Sequence, residues 1–211
     1  MNNNKIWVYL FEGISGLSEG FIAEKSPELP FFRRRQCESY RQSDDKKACI
    51  VSYMLLKTGL LEQYGITDPG EFVYNRHGKP YLREHPHIFF NISHCKTGAA
   101  CALSYTETGV DIQDIRPFDI ETARRVCGKN ELDLLAGSGA PAKLFCEMWA
   151  KKESRAKAEG ISVCELLNRD LPDGLFYCRE TENYFMALCC KNIDLSENFT
   201  KYIFIKTIKV I

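Results

Sequence analysis

Three short segments hold residue types suited to phosphate and metal chemistry. They are Phe90-Asn91-Ile92-Ser93-His94, Gly109-Val110-Asp111-Ile112-Gln113, and a run from Trp149 to Lys157 that reads Trp-Ala-Lys-Lys-Glu-Ser-Arg-Ala-Lys. In the third, Trp149, Glu153 and Lys157 recur every four residues, so a helix puts them on one face. Taken alone, that spacing also suits a solvated face with a Glu153–Lys157 ion pair worth about 0.3–0.5 kcal/mol, and with Lys151, Lys152 and Arg155 in water beside it. In the second segment Asp111 lies between two β-branched residues. On a strand, Val110 and Ile112 face one way, and Asp111 and Gln113 the other. A carboxylate at the buried end of a core strand is costly unless it is paired or bound to a metal; alone, Asp111 fits a turn or a salt bridge equally well. Together, Asp111 and Glu153 offer two hard oxygen ligands, and magnesium takes one or two carboxylates plus substrate phosphates and water. Lys157, one turn beyond Glu153, then faces the same phosphates as a point charge. Ser93 and His94 add a hydroxyl and an imidazole at a strand end, good partners for phosphate or ribose.

The elements that must position these groups are legible in the pattern. Lys5 to Phe11 reads as a strand, with Ile6, Val8 and Leu10 alternating with Trp7, Tyr9 and Phe11. Ser26 to Pro30 is a loop. Asp45 to Leu61 is a helix, with Val51, Met54, Leu55 and Thr58 at helical spacing and Gly59 near its end. After a Pro69-Gly70 turn comes a strand–turn–strand, with Asn75 to Pro80 as the turn. Ile88 to Ile92, Ala99 to Tyr105 and Gly109 to Ile115 are further strands. Asp119 caps a short helix, and Asn130 with Asp133 marks the start of another. Pro141 opens a long helix that Gly160 stops. Phe176 to Arg179, Tyr184 to Lys191 and Tyr202 to Val210 are strands, the first two a hairpin turning at Glu182-Asn183. The expected fold class is α+β, in two similar-sized subdomains that meet near residue 107, with a site at their junction.

Composition narrows the function classes. Lys plus Arg and Asp plus Glu both number 28, so net charge gives no argument for nucleic acid or membrane as a partner. No stretch approaches the roughly 20 apolar residues of a membrane span. The opening MNNNKIWVYLFEG lacks a charged start followed by a long apolar run, so no signal peptide is expected. None of the ten cysteines is spaced Cys-x-x-Cys, which argues against the common zinc and redox motifs. Buried thiols in a reducing cytoplasm are expected instead.

The segments resemble the 4′-phosphopantetheinyl transferases of the surfactin-synthetase (Sfp) type. The resemblance rests on Gly78-Lys79-Pro80, on Asn91-Ile92-Ser93-His94 after Phe90, on Gly109 through Gln113, and on Trp149 through Lys157. It spans roughly residues 30–160 in the family's order. It implies two α+β halves, 1–107 and 108–211, related by a pseudo-two-fold axis with coenzyme A in the cleft between them. It implies transfer of 4′-phosphopantetheine from coenzyme A to a serine of an apo acyl or peptidyl carrier protein, with Mg²⁺, by a cytoplasmic monomer. By resemblance, Asp111, Gln113 and Glu153 bind the metal and Lys157 reaches the pyrophosphate. Ser93 and His94 contact nucleotide phosphates, and Lys79 lies at the adenine and ribose end. Arg33 and Lys47, from the clusters Arg33–Arg35 and Lys46–Lys47, hold the 3′-phosphate. Glu153 is the first choice of base and Glu131 the second. The carrier docks near Ile161, Val163, Leu166 and Leu167, unless these are core residues. Gln113 departs from the family's usual Glu, which implies weaker metal affinity. It also leaves open a coenzyme A-binding module without turnover. An acidic-site phosphoesterase is a poorer fit, for want of clustered carboxylates and histidines.

Overall fold

The structure is a computed structural model that describes residues 5–172, 176–191 and 202–209. The chain runs through β1 (Ile6–Glu12), α1 (Gly20–Lys25), α2 (Phe31–Ser39), α3 (Ser43–Tyr64), β2 (Phe72–Tyr74), β3 (Pro80–Leu82), β4 (Phe89–His94), β5 (Gly98–Ser104), β6 (Thr108–Asp114), α4 (Ile120–Val126), α5 (Lys129–Ala136), α6 (Pro141–Glu159), β7 (Phe176–Glu180), β8 (Tyr184–Cys190) and β9 (Ile203–Ile208). It is a mixed α+β fold whose described residues form three sheets, ordered β4-β5-β1-β9, β2-β3 and β6-β8-β7.

The alternation in β1 sets the layering. Tyr9 and Phe11 pack with Ile50, Leu55 and Leu56 of α3 on one face of the first sheet. Ile6, Val8 and Leu10 pack on the other face, against Val110 and Ile112 of β6 and Met186 and Leu188 of β8. The far face of β8 then offers Phe185 and Ala187 to Cys146 and Ala150 of α6. The order is helix, sheet, sheet, helix. In β5, Gly-Ala-Ala-Cys-Ala-Leu-Ser is buried throughout, and its small side chains let layers close on both faces.

Several expectations change in detail. Gly59 is not the end of its helix, which continues to Tyr64 and is capped by Gly65 in the left-handed region. A Cβ at Gly59 would strike Leu103 and Tyr9, so the glycine lets α3 lie close on the sheet. The Arg-rich stretch of α2 buries only Cys37, and so gave no apolar period to read. The division near residue 107 falls between β5 and β6. The last strand crosses it: β9 returns to pair in parallel with β1, Ile6 opposite Ile203, and Phe204 stacks on Trp7 at 4.4 Å between ring centroids.

Candidate active site

Asp111 and Gln113 lie on the α6 side of β6, as the alternation requires, because Val110 and Ile112 fill the core between the sheets. Gly109 allows the close approach of α6. A Cβ there would run into the Ser154 carbonyl and the Ala158 amide. The helix therefore lies directly on the strand backbone and sets Glu153 and Lys157 beside Asp111. The Asp111 carboxylate is only 1% exposed. Its Oδ1 accepts from Lys157 Nζ at 2.6 Å and Ser93 Oγ at 2.8 Å, and its Oδ2 accepts from Gln113 Nε2 at 2.8 Å. Lys157 therefore pairs with Asp111 rather than with Glu153, which rules out the solvated Glu153–Lys157 pair. Glu153 is half-buried and has no hydrogen bond or ion pair among the described residues. Burial pushes its carboxyl above the usual range; Lys157 pulls it down and Asp111 pushes it further up. His94 is held below the ordinary imidazole value, by burial first and Lys157 second. Ser93, His94, Asp111, Gln113, Glu153 and Lys157 share one pocket of about 260 Å³.

The Asn-x-Ser pair on β4 ties the face of the first sheet to the open edge of β6 in the other. Asn91 Oδ1 accepts from Val110 N at 2.8 Å, and Ser93 Oγ accepts from Ile112 N at 3.3 Å. Side chains thus stand in for a backbone ladder, with the same two-residue period on both strands. Ile92 and His94 also line a second pocket of about 230 Å³, with Arg33, Tyr40, Tyr74, Gly78 and Pro80 around it. Arg33 spends Nη1 on Gln36 (2.5 Å) and Nη2 on the Cys49 carbonyl (3.3 Å). Its Nε is buried without a partner.

Residues 107–203 match the profile of the 4′-phosphopantetheinyl transferase superfamily. The 4′-phosphopantetheinyl transferase Sfp of Bacillus subtilis is 28% identical over 204 residues, which cover 87% of this chain and 89% of the relative. A second B. subtilis 4′-phosphopantetheinyl transferase is 26% identical over 90% of this chain and 93% of its own length. The chain belongs to the 4′-phosphopantetheinyl transferase superfamily. A further relative, the 4′-phosphopantetheinyl transferase HetI of a Nostoc species, is 33% identical over about half of each chain. The protein is thus an enzyme of the phosphopantetheinyl transferase family.

Within this family member, several expected site residues lie elsewhere. Lys47 is 3% exposed and ion-paired with Glu19 at 2.9 Å, away from the Arg33 pocket. Arg34 is turned to the Pro27 and Leu29 carbonyls, and Arg35 sits over the Phe31 ring. Only Arg33 of its cluster lines the pocket. Lys79 turns its ammonium to Glu107 and to the Thr108 and Ala158 carbonyls, while its neighbours Gly78 and Pro80 line the pocket. Glu131 pairs with Lys152 at 2.9 Å and accepts from its own helix start at Gly128 N, 2.8 Å, and does not line the pocket of Asp111 and Glu153. Lys152, expected in water, is fully buried, because Glu131 and the Leu166 and Arg169 carbonyls surround its ammonium. Ser93 is committed to Asp111, Lys157 and Ile112. Leu166 is buried and Leu167 packs on a core cluster, whereas Ile161 and Val163 remain half-buried. Tyr74 and Asn75 were missed; the Asn75-x-x-Gly78 turn was the available signal for the second.

The donor set fits magnesium. Among the described residues no three His, Cys, Asp or Glu side chains form a metal cage. Two carboxylates and an amide do converge, and magnesium completes its shell with water and substrate phosphate. The Glu153 carboxylate opens on the same pocket as Asp111 and Gln113, and the Gln113 amide carries an oxygen as well as the nitrogen that donates to Asp111.

Proposed function

We propose that this enzyme transfers 4′-phosphopantetheine from coenzyme A to a serine hydroxyl of an apo acyl or peptidyl carrier protein and releases adenosine 3′,5′-bisphosphate. The observation that carries the reading is the convergence of Asp111 and Glu153, from different elements, on one pocket with Lys157 2.6 Å from Asp111. Asp111, Glu153 and Gln113 hold Mg²⁺. When bound, the ion supplies Lewis-acid neutralisation of the pyrophosphate. The helix–sheet–sheet–helix order supports two α+β halves facing each other with the cleft between. The ten free thiols, mostly buried, support a reducing, cytoplasmic setting, and the complete cleft in one chain supports a monomer.

The remaining roles follow from the side chains. Arg33 and His94 face the nucleotide end of the joined pockets, where the Arg33 guanidinium takes the 3′-phosphate. Lys157 has three donors, of which the contact to the Val110 carbonyl at 3.4 Å is the weakest and the most readily redirected to a phosphate oxygen. A new bond forms from the serine oxygen to the β-phosphorus as the bond from that phosphorus to the nucleotide oxygen breaks. The serine proton passes to Glu153 through an intervening water, because a carboxylate that would also hold the metal is a poor direct base. Lys157 stabilises charge that grows on the oxygens during transfer.

Incubation with coenzyme A, Mg²⁺ and a panel of apo-carriers should give a phosphopantetheine mass gain on at least one carrier. Glu153→Ala should cut that rate by about 10²–10⁴-fold with an unchanged circular-dichroism spectrum. Turnover like that of the unaltered enzyme in this variant would remove Glu153 from the mechanism.

A further inference from the structure

The β2–β3 hairpin has two faces. Gly78 and Pro80 line the nucleotide pocket. Two other side chains of the same hairpin reach the end of α6. Asn75 Nδ2 donates to the Gly160 carbonyl at 2.8 Å, while its Oδ1 shapes the turn by accepting from the His77 and Lys79 amides. Lys79 Nζ donates to the Ala158 carbonyl at 3.1 Å and the Thr108 carbonyl at 3.4 Å, and pairs with Glu107. Tyr81 OH holds the other oxygen of Glu107 at 3.0 Å. Gly160 caps α6 in the left-handed region, and a Cβ there would press on Asn75 Nδ2.

These contacts fall at consequential places. Ala158 directly follows Lys157, and Thr108 opens the strand that carries Asp111. A lysine at a helix C-terminus is also favoured by the dipole, more so when partly buried. Lys79 is 7% exposed and turned away from the pocket, so its ammonium is placed to hold protein rather than ligand. We propose that Lys79, with Asn75, is a positioning residue that latches the nucleotide-binding hairpin to the end of α6 and the start of β6. The latch fixes the nucleotide pocket relative to Asp111, Glu153 and Lys157. This rests on the transferase reading above. A latch differs from a ligand in what its loss does. The nucleotide half still binds, but the reacting groups are misplaced, and a shift of about 1 Å can cost 10²-fold in rate.

The test uses the full chain carrying Lys79→Met, Lys79→Arg or Asn75→Asp. Asn75→Asp keeps the turn-forming oxygen and replaces the donor to Gly160 with a carboxylate oxygen that repels that carbonyl, which opens the contact. Transfer kinetics, calorimetric binding of adenosine 3′,5′-bisphosphate, and melting temperature are measured. Lys79→Met should lower kcat about tenfold or more, with bisphosphate affinity within about threefold of the unaltered enzyme. Lys79→Arg should recover most of the loss, and Asn75→Asp should move kcat the same way. If Lys79→Met does not fold, Asn75→Asp decides. Bisphosphate affinity that falls while kcat holds would make Lys79 a ligand and overturn the latch. A lower melting temperature with both kinetic constants unchanged would overturn it too. An unaltered enzyme that modifies no apo-carrier would instead sink the transferase reading on which the latch stands.

Discussion

Gln113 shows how one side chain can balance a site. Its Nε2 donates to Asp111 Oδ2 while Lys157 donates to Oδ1, so both carboxylate oxygens have protein donors. Gln113→Glu replaces that donor with a like charge. In chelator the variant should lose about 1.5–3 kcal/mol, the worth of a hydrogen bond to a charged group. Mg²⁺ should restore it, and the Mg²⁺ concentration for half-maximal rate should fall. Thermal melts with and without Mg²⁺ check this, and identical melts would place Gln113 outside the metal site. Arg33 supports a second prediction at this scale. Lys47 is occupied by Glu19, so Arg33 stands as the cation of its cluster that lines the nucleotide pocket. Arg33→Met should raise the KM for coenzyme A about tenfold, the low end for a charge-assisted contact. It should barely alter the KM for 3′-dephospho-coenzyme A. Equal losses for both substrates would show that Arg33 does not read the 3′-phosphate.

At the scale of elements, the site exists because α6 rests on β6 without a side chain between them. Gly109→Ala places a methyl against the backbone of Ser154 and Ala158, neither of which can move without shifting the whole helix. The expected cost is about 1–3 kcal/mol from overpacking, read from the denaturation midpoint, together with a fall in kcat as Glu153 and Lys157 move off Asp111. Neutral stability and turnover would mean that the helix slides freely on the strand. The other face of α6 is held by Lys152 and Glu131. Their pairing orders α5 and the segment around Leu166 and Arg169. Neighbouring residues of the Lys152-Glu153 motif thus point to different sides of one helix, the first into the fold and the second into the proposed site.

For the whole molecule, the proposed site draws on both sides of the boundary near residue 107: Arg33 and His94 from the first half, Asp111, Glu153 and Lys157 from the second. A ligand that bridges them should stabilise the chain as a unit. Adenosine 3′,5′-bisphosphate with Mg²⁺ at 100 times its dissociation constant should add about 2.7 kcal/mol. For a chain of this size that is roughly 5–10 °C in melting temperature, and either component alone should give less. A shift with bisphosphate that Mg²⁺ does not enlarge would separate the two subsites. The sequence by itself determined which residues share a face. Strand alternation sent Asp111 and Gln113 away from Val110 and Ile112, and four-residue spacing aligned Glu153 with Lys157. Both are local periodicities of the backbone, written wherever the chain is regular. Which charged groups are free to meet a ligand was decided only by the tertiary structure. Lys47, Lys79, Glu131 and Lys152 are ordinary polar residues in the sequence, yet each is taken by a partner 21 to 79 positions away. A buried charge must find its counter-charge wherever the fold brings one, and no local spacing encodes that meeting.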